Sequence, residues 1–188
     1  MGLLDVLLGR KKLKDASKDR LWALTTARIT METELGLKPG DAAAVCFKPL
    51  SASDFVRAEN ELQELLDFAA QESGSRVRRR TDELGFEWLI VEDPDFEDLV
   101  TTVHLIGSEL KSRGFGSRLL AAIFRFESKD GPVYWIYGYK RGAFWPFVPR
   151  GEKERDNAEE LELKAKLEQE LPVEQDLSRW FALFDAPV

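Results

Sequence analysis

Apolar and polar positions repeat along the chain with two different periods, and the change between them marks the predicted helices and strands. Where apolar residues return every three or four positions, one face of a helix can pack on a core. Phe55, Leu62 and Leu66 share such a face in the segment 51–71. The predicted helices are one or two short helices within 17–37, and longer ones over 51–71, about 94–112 and 155–172.

Runs of β-branched and aromatic residues lie between the helices and predict strands. A glycine near the middle of each of two such regions, Gly85 and Gly131, indicates the turn of a hairpin. The extension FWPFVP follows the second hairpin, and its Pro146 and Pro149 are predicted to stop further strand pairing. The predicted strands are a short strand over 42–50, a hairpin over 76–93, and a hairpin formed by 117–128 and 132–140.

This order of elements predicts an α+β fold of two layers, with helices packed on an antiparallel sheet of two hairpins and a short strand. The order α-β-β-α-β-β-α after residue 50 is similar to that of the secretion-chaperone-like fold, which is a likeness of pattern alone. We expect a single domain over 1–188 with an amphipathic and basic tip at 1–14. In the C-terminal segment 173–188, Trp180 and its apolar neighbours are expected to dock on the domain.

Side chains that can accept hydrogen bonds from backbone N–H groups indicate where two of the helices begin. Asp93 is the predicted N-cap of the helix over 94–112, with Pro94 at the first helical position. Asp156 is the predicted N-cap of the last helix, and Glu159 occupies the reciprocal position of a capping box. The residue types therefore predict where both helices begin.

Composition narrows the class of protein. The chain has 188 residues, of which 44% are hydrophobic and 32% charged, as in a globular protein with one core. Its formal net charge of −7 gives no general support to nucleic-acid binding. Cys46 is the single cysteine, so no internal disulfide can form. No apolar run approaches the roughly 20 residues that span a bilayer, and we expect a cytoplasmic protein.

The first fourteen residues differ from the rest in their pattern. Leucines on one helical face are followed by Gly9 and then by a run of cations, an arrangement that suits a membrane interface. Position 6 is Val6, which does not fit a myristoylation signal. The alternative is that the leucines pack on the domain or on a second copy. The candidate membrane-interface residues are Leu3, Leu4, Leu7, Leu8, Lys11 and Lys12.

The segment from 139 to 157 combines cations, aromatic rings, glycines and prolines. Aromatic and arginine side chains are frequent anchors of protein interfaces, so this segment is the candidate partner-binding surface. Two alternatives remain open, a lid over an anion held by Lys140 and Arg141, or a plug of buried rings that seals the core. The candidate partner-binding residues are Tyr139, Lys140, Arg141, Phe144, Trp145, Phe147, Arg155, Asp156 and Asn157.

The sequence SRGFGSRLLAAI at 112–123 is similar to the acyl-CoA pyrophosphate loop of GNAT acetyltransferases. Arg113 and Gly116 fit that pattern, but Arg118 stands where the loop requires Gly or Ala. A helix is predicted before this loop, whereas the acetyltransferase fold has a strand there, so a helix stop is the other interpretation. An acetyltransferase-like or other small-anion-binding enzyme, using the 112–120 or 139–147 loops, is the alternative function.

Other side chains with possible chemistry are few. His104 has no ligand-type neighbour at metal-binding spacing, and Cys46 lies in an apolar strand, although the two could meet in space as a dyad. We expect no metal and no cofactor. Arg76, Arg78 and Arg80 share one face of a strand, which fits either a charged sheet edge or a surface for an acidic partner.

Six motifs occur in order along the whole chain: MGLLDVLLGR (1–10), CFKP (46–49), GFG (114–116), YKRGAFWPFVP (139–149), RDNAEELEL (155–163) and LPVEQDLSRWFALF (171–184). Together they resemble the PspA-associated protein family PspAB. This resemblance implies an association with PspA, the phage-shock coiled-coil protein of stressed membranes, and with an HtpX-type membrane metalloprotease. It implies no enzymatic activity and no catalytic residue. We therefore expect a non-enzymatic adaptor or regulator that binds a PspA-like coiled coil or such a protease, with peripheral membrane contact through its N-terminus.

Overall fold

Four α-helices and six strands form in the part of the chain that the computed structural model describes, residues 20–48 and 52–188. Helix α1 includes residues 20–35 as one continuous element. The other helices are α2 (Ala52–Ser73), α3 (Phe96–Ser112) and α4 (Asn157–Leu167). The predicted tip at 1–14 lies outside the described residues.

The strands form one sheet in which every neighbouring pair is antiparallel, so the predicted α+β fold is confirmed. Their order across the sheet is β2-β3-β1-β4-β5-β6. The two predicted hairpins are β2–β3 and β4–β5, and β1 joins them at the centre. The strands are β1 (Lys38–Phe47), β2 (Arg76–Thr81), β3 (Glu87–Glu92), β4 (Leu119–Ser128), β5 (Gly131–Gly138) and β6 (Ala143–Phe147).

The two faces of the sheet have different neighbours. On one face, here called the helical face, the ring of Phe96 on α3 contacts Phe124 and Phe126 of β4 at centroid distances of 6.2 and 5.4 Å. Residues directly opposite each other on paired strands point to the same face. The other face, here called the groove face, carries the cross-strand row Trp88, Cys46, Ala121, Gly138 and Ala143.

Helix α3 begins two residues later than the sequence predicts. Asp95, and not Asp93, is its N-cap, and its carboxylate accepts from the N–H groups of Glu97 and Asp98. Asp93 instead accepts from the backbone of Asp95 at 2.9 Å and from the hydroxyl of Ser75 at 2.7 Å. The prediction was wrong because this tertiary contact with Ser75 competes for the Asp93 carboxylate.

Strand β6 corrects the prediction that Pro146 ends strand pairing. Pro146 lies within this strand, opposite Trp135 of β5. Two residues earlier, Phe144 uses its N–H to bond Pro172 O on the outer side, at 2.8 Å. N–H groups two residues apart point the same way in a strand, so the N–H that Pro146 lacks would have pointed away from β5.

Other boundaries shift by a few residues. Strand β1 begins at Lys38, earlier than the predicted 42, because its first residues pair with β4 near Glu127. Helix α4 covers less than the predicted 155–172, and Asp156 is its N-cap as predicted, accepting from Glu159 N at 3.0 Å. The side chain of Glu159 does not complete a capping box, because it binds Arg150.

Candidate functional site

A groove with a volume of about 1120 Å³ lies on the groove face. Its floor is the row from Trp88 to Ala143, in which the side chains beyond Trp88 are small. Small residues in neighbouring strands leave space above the sheet that larger side chains would fill. The apolar side chains around this space include Leu84, Phe86, Leu119, Leu120, Trp145, Leu183 and Ala186.

The C-terminal segment forms one wall of the groove. The indole Nε1 of Trp145 donates to Phe181 O at 3.1 Å, and the ring of Phe184 meets Phe147 edge-on with centroids 5.1 Å apart. The hydroxyl of Tyr134 donates to Val188 O at 3.1 Å. These contacts hold residues 181–188 along the groove face beside β5 and β6.

Two of the carboxylates at the groove have partners within the protein. Asp82 accepts from Trp88 Nε1 at 2.9 Å and from the backbone N–H of Phe86 at 2.8 Å. Glu174 lies 3.4 Å from Arg141 and 3.8 Å from Arg179. Both acids therefore already have hydrogen-bond donors or cations of the protein as partners.

Three lysines at the groove have no ion-pair partner in the described part of the chain. They are Lys48 after β1, Lys111 in the last turn of α3 and Lys140 after β5. The Nζ of Lys111 lies 5.3 Å from the centre of the Tyr139 ring, and partial burial lowers the pKa of this lysine. The ends of β1 and β5 both flank the start of β4, so these cations gather at one end of the sheet.

The aromatic residues of the predicted partner-binding surface lie inside the protein. Phe144 and Phe147 are buried, and Trp145 is only 7% exposed, with its indole at the groove. Burial of all three rings is what the core-sealing alternative requires. Lys140 and Arg141 are exposed at the groove, and Tyr139 is half-buried behind them. A partner-binding role for this set stays a prediction.

The remaining members of that set lie at the start of α4. Arg155 donates through Nε to both carboxylate oxygens of Glu160, at 2.9 and 3.0 Å, and through Nη1 to Trp180 O at 2.7 Å. Asp156 caps the helix, and Asn157 is exposed. Arg155 and Asn157 line a small depression of about 120 Å³, separate in its lining from the groove.

Cys46 and His104 do not meet. Cys46 points to the groove face, whereas α3, which carries His104, packs on the helical face. His104 lies beside Trp22, with ring centroids 5.8 Å apart. Burial, and then the charge of Asp82, raises the pKa of the Cys46 thiol to about 12, so it is protonated at neutral pH. These two residues therefore do not form a nucleophilic dyad.

At the glycine loop after α3, the order of elements is the reverse of the one that an acetyltransferase needs, because the helix precedes the loop and the strand follows it. The loop connects α3 to β4, with a single 3-10 turn at Gly116–Arg118. A pyrophosphate loop relies on the free N–H groups at the start of a following helix, and here a strand follows. Within residues 20–48 and 52–188, no group of three or more His, Cys, Asp or Glu side chains is placed to hold a metal.

The predicted arginine face lies on the outermost strand, β2. Arg76, Arg78 and Arg80 are exposed, and the first two lie 3.7 and 3.0 Å from Glu92 of β3. This placement agrees with a charged sheet edge. No helix of the described part is long and apolar enough to cross a bilayer. The candidate membrane-interface residues lie outside the described residues.

Sequence reasoning did not find the groove or two of its lysines. Lys48 follows β1 and Lys111 lies near the end of α3, so the two are far apart in the chain. The sequence does not indicate which elements lie beside β1 or α3. The sequence feature that could have indicated the groove is the small size of Cys46, Ala121 and Gly138, within strands otherwise rich in large apolar residues. That signal becomes a site only when the strand order is known.

No curated protein and no solved structure is similar enough to the chain to match it. The likeness to the secretion-chaperone-like pattern thus stays a prediction. The family model described as PspA associated protein B matches residues 1–188. The chain therefore belongs to the PspAB family.

Proposed function

We propose that this PspAB protein is a non-enzymatic adaptor or regulator in a PspA-type membrane-stress response, and that it binds a protein partner at the mouth of the groove. Family membership supports the association with PspA. The observation that carries the proposal is a set of large apolar side chains that line the groove and are open to solvent. Leu84 is 77% exposed, Phe181 is 64% exposed, and Phe184, which also lines the groove, is 36% exposed.

Exposed apolar side chains that gather at one concave surface are typical of protein interaction sites. Lys140 and Arg141 are exposed at the same groove. A partner with apolar side chains flanked by acids would suit this combination, because the apolar groups would pack at the mouth of the groove while the acids meet the cations. The partner candidates are a PspA-like coiled coil and an HtpX-type membrane protease.

The test compares two surface variants in their binding to a purified PspA-like protein and, separately, to a purified HtpX-type protease in detergent. In the first variant, Leu84→Ser with Phe181→Ser, the exposed apolar groups at the groove are removed. In the control, Ile29→Ser, an apolar residue of α1 that is 60% exposed is replaced. We expect at least a tenfold loss of affinity in the first and wild-type affinity in the control. Equal affinities, or no binding of either partner by the wild type, would contradict the proposal.

We propose in addition that Leu3, Leu4, Leu7 and Leu8, with Lys11 and Lys12, contact the cytoplasmic face of the membrane. Short apolar elements bind bilayers weakly alone, and anionic lipid adds attraction for the lysines. The full chain should float with anionic vesicles, and a chain lacking residues 2–14 should not. Equal flotation of the two would favour packing of the leucines on the domain or on a second copy.

A further inference from the structure

We propose that the groove interior binds a free fatty acid, with the acyl chain against the apolar lining of the groove and the carboxylate among Lys48, Lys111 and Lys140. This goes beyond the adaptor role and does not depend on a protein partner. The inference rests on the shape and apolar lining of the groove together with the position of its unpaired cations.

The shape of the floor fits a narrow apolar chain. Cys46, Ala121, Gly138 and Ala143 continue the row from Trp88 across the four neighbouring strands. At Gly138 the Trp145 ring already covers the row, since an added Cβ there would lie 2.9 Å from Cζ3 of the ring, so an acyl chain packs against this ring and not on Gly138 itself. The groove volume of about 1120 Å³ is slightly above the range of about 300–1,000 Å³ that is usual for small-molecule sites. The space is therefore large enough for a single acyl chain.

The charges at the groove favour an anionic head group. Asp82 and Glu174 already accept from donors of the protein, while the remaining acid, Asp185, lies on the C-terminal wall beside Phe184. Lys48, Lys111 and Lys140 have no acidic partner among the described residues. A carboxylate placed among them would gain charge-assisted hydrogen bonds that the protein itself does not supply. A cationic head group would be repelled, and a neutral hydroxyl would accept a hydrogen bond without the attraction between opposite charges.

A single acyl chain also suits the groove better than a peptide does. The lining is formed mainly by apolar side chains, and a peptide backbone needs hydrogen-bond partners for its N–H and C=O groups. An alkyl chain has no such groups. Each added methylene that enters the groove should therefore tighten binding by about fourfold, until the space is full.

The first experiment uses delipidated full-length protein and three ligands of equal chain length, dodecanoate, dodecanol and dodecyltrimethylammonium, each below its micellar concentration. Calorimetry measures affinity, and bromine-labelled dodecanoate reports contact through quenching of Trp88 and Trp145, which both line the groove. We expect dodecanoate to bind saturably and at least tenfold more tightly than the other two. Absence of saturable binding, or equal affinity for the three head groups, would overturn the proposal.

A charge-reversal pair then tests the site. Lys111→Glu with Lys140→Glu should weaken dodecanoate binding at least tenfold. Lys129→Glu with Lys153→Glu, exposed lysines that do not line the groove, changes the net charge equally and should leave the affinity unchanged. Because all four side chains are exposed, circular dichroism should show the same fold in both variants. Equal loss in the two variants would overturn the assignment of the carboxylate to these lysines.

Discussion

The indole Nε1 of Trp145 donates a hydrogen bond to the backbone oxygen of Phe181, and the two atoms are 3.1 Å apart. Trp145 thereby joins edge strand β6 to the C-terminal segment, at the wall of the groove. Its ring is directed at its own chain rather than at solvent. One side chain thus connects strand β6, the C-terminal segment and the candidate site.

Trp145→Phe should loosen the C-terminal segment. The change removes the donor and leaves Phe181 O without its partner, at a cost of about 1–2 kcal/mol in the free energy of unfolding. Chemical denaturation measures the cost, and limited proteolysis should cut after residue 181 more readily. Phe181→Ala keeps the backbone acceptor and removes an exposed ring, so it should change stability by no more than about 0.5 kcal/mol. Equal effects of the two substitutions would count against the hydrogen bond.

Arg155 is expected to stabilise the folded protein through its contact with Glu160. This effect is independent of any role of Arg155 in partner binding. Glu160 is 1% exposed and accepts from Arg155 and from the N–H of Val148 at 2.9 Å. Arg155→Ala would leave this buried carboxylate without its cation. We expect a loss of about 3–5 kcal/mol in the free energy of unfolding, measured with urea.

The matched control for Arg155 is the exposed ion pair of α4 between Glu162 and Lys166, at 2.6 Å. Lys166→Ala should cost no more than about 1 kcal/mol, because solvent screens both charges. If the Arg155→Ala and Lys166→Ala variants have the same free energy of unfolding, the buried pair of Arg155 and Glu160 does not stabilise the protein. A surface role would then be the better explanation of Arg155.

Because of Cys46, the free energy of unfolding should decrease at alkaline pH. Burial, and then Asp82, raises its pKa from 9.0 to about 12 in the folded protein. Between these values the folded protein keeps the thiol proton while the unfolded chain releases it, so the free energy of unfolding decreases as pH rises. Urea unfolding at about pH 8 and about pH 10.5 should show a larger loss for the wild type than for Cys46→Ser. Equal losses would mean that the thiol pKa is close to 9.0.

Gly138→Ala tests how closely Trp145 covers the groove floor. A Cβ at Gly138 would lie 2.9 Å from Cζ3 of Trp145, which is too close, and overpacking typically costs about 1–3 kcal/mol. In a Trp145→Leu background the same substitution should cost less, because the obstructing ring atom is gone. A double-mutant cycle measures the difference. Strictly additive effects would show that the two residues do not touch.

Much of the fold followed from local pattern. The apolar stripe that includes Phe96, Leu99 and Val103 predicted α3, and the turns at Gly85 and Gly131 predicted both hairpins. Such features could be read because period and turn chemistry depend on neighbours in sequence. The start of α3 could not be predicted from local pattern, because it depends on the contact between Ser75 and Asp93, which are 18 positions apart.

The candidate site required the tertiary structure. The sequence by itself determined the α+β class, the strand that carries Arg76 and Arg78, and membership of the PspAB family. Only the three-dimensional arrangement decided that Trp145 is buried and that Cys46 and His104 lie on opposite sides of the sheet. It alone brought the lysines to one end of the sheet, beside the groove. The physical reason is that burial and proximity depend on strand order and on which face a helix covers, and neither is encoded within one element.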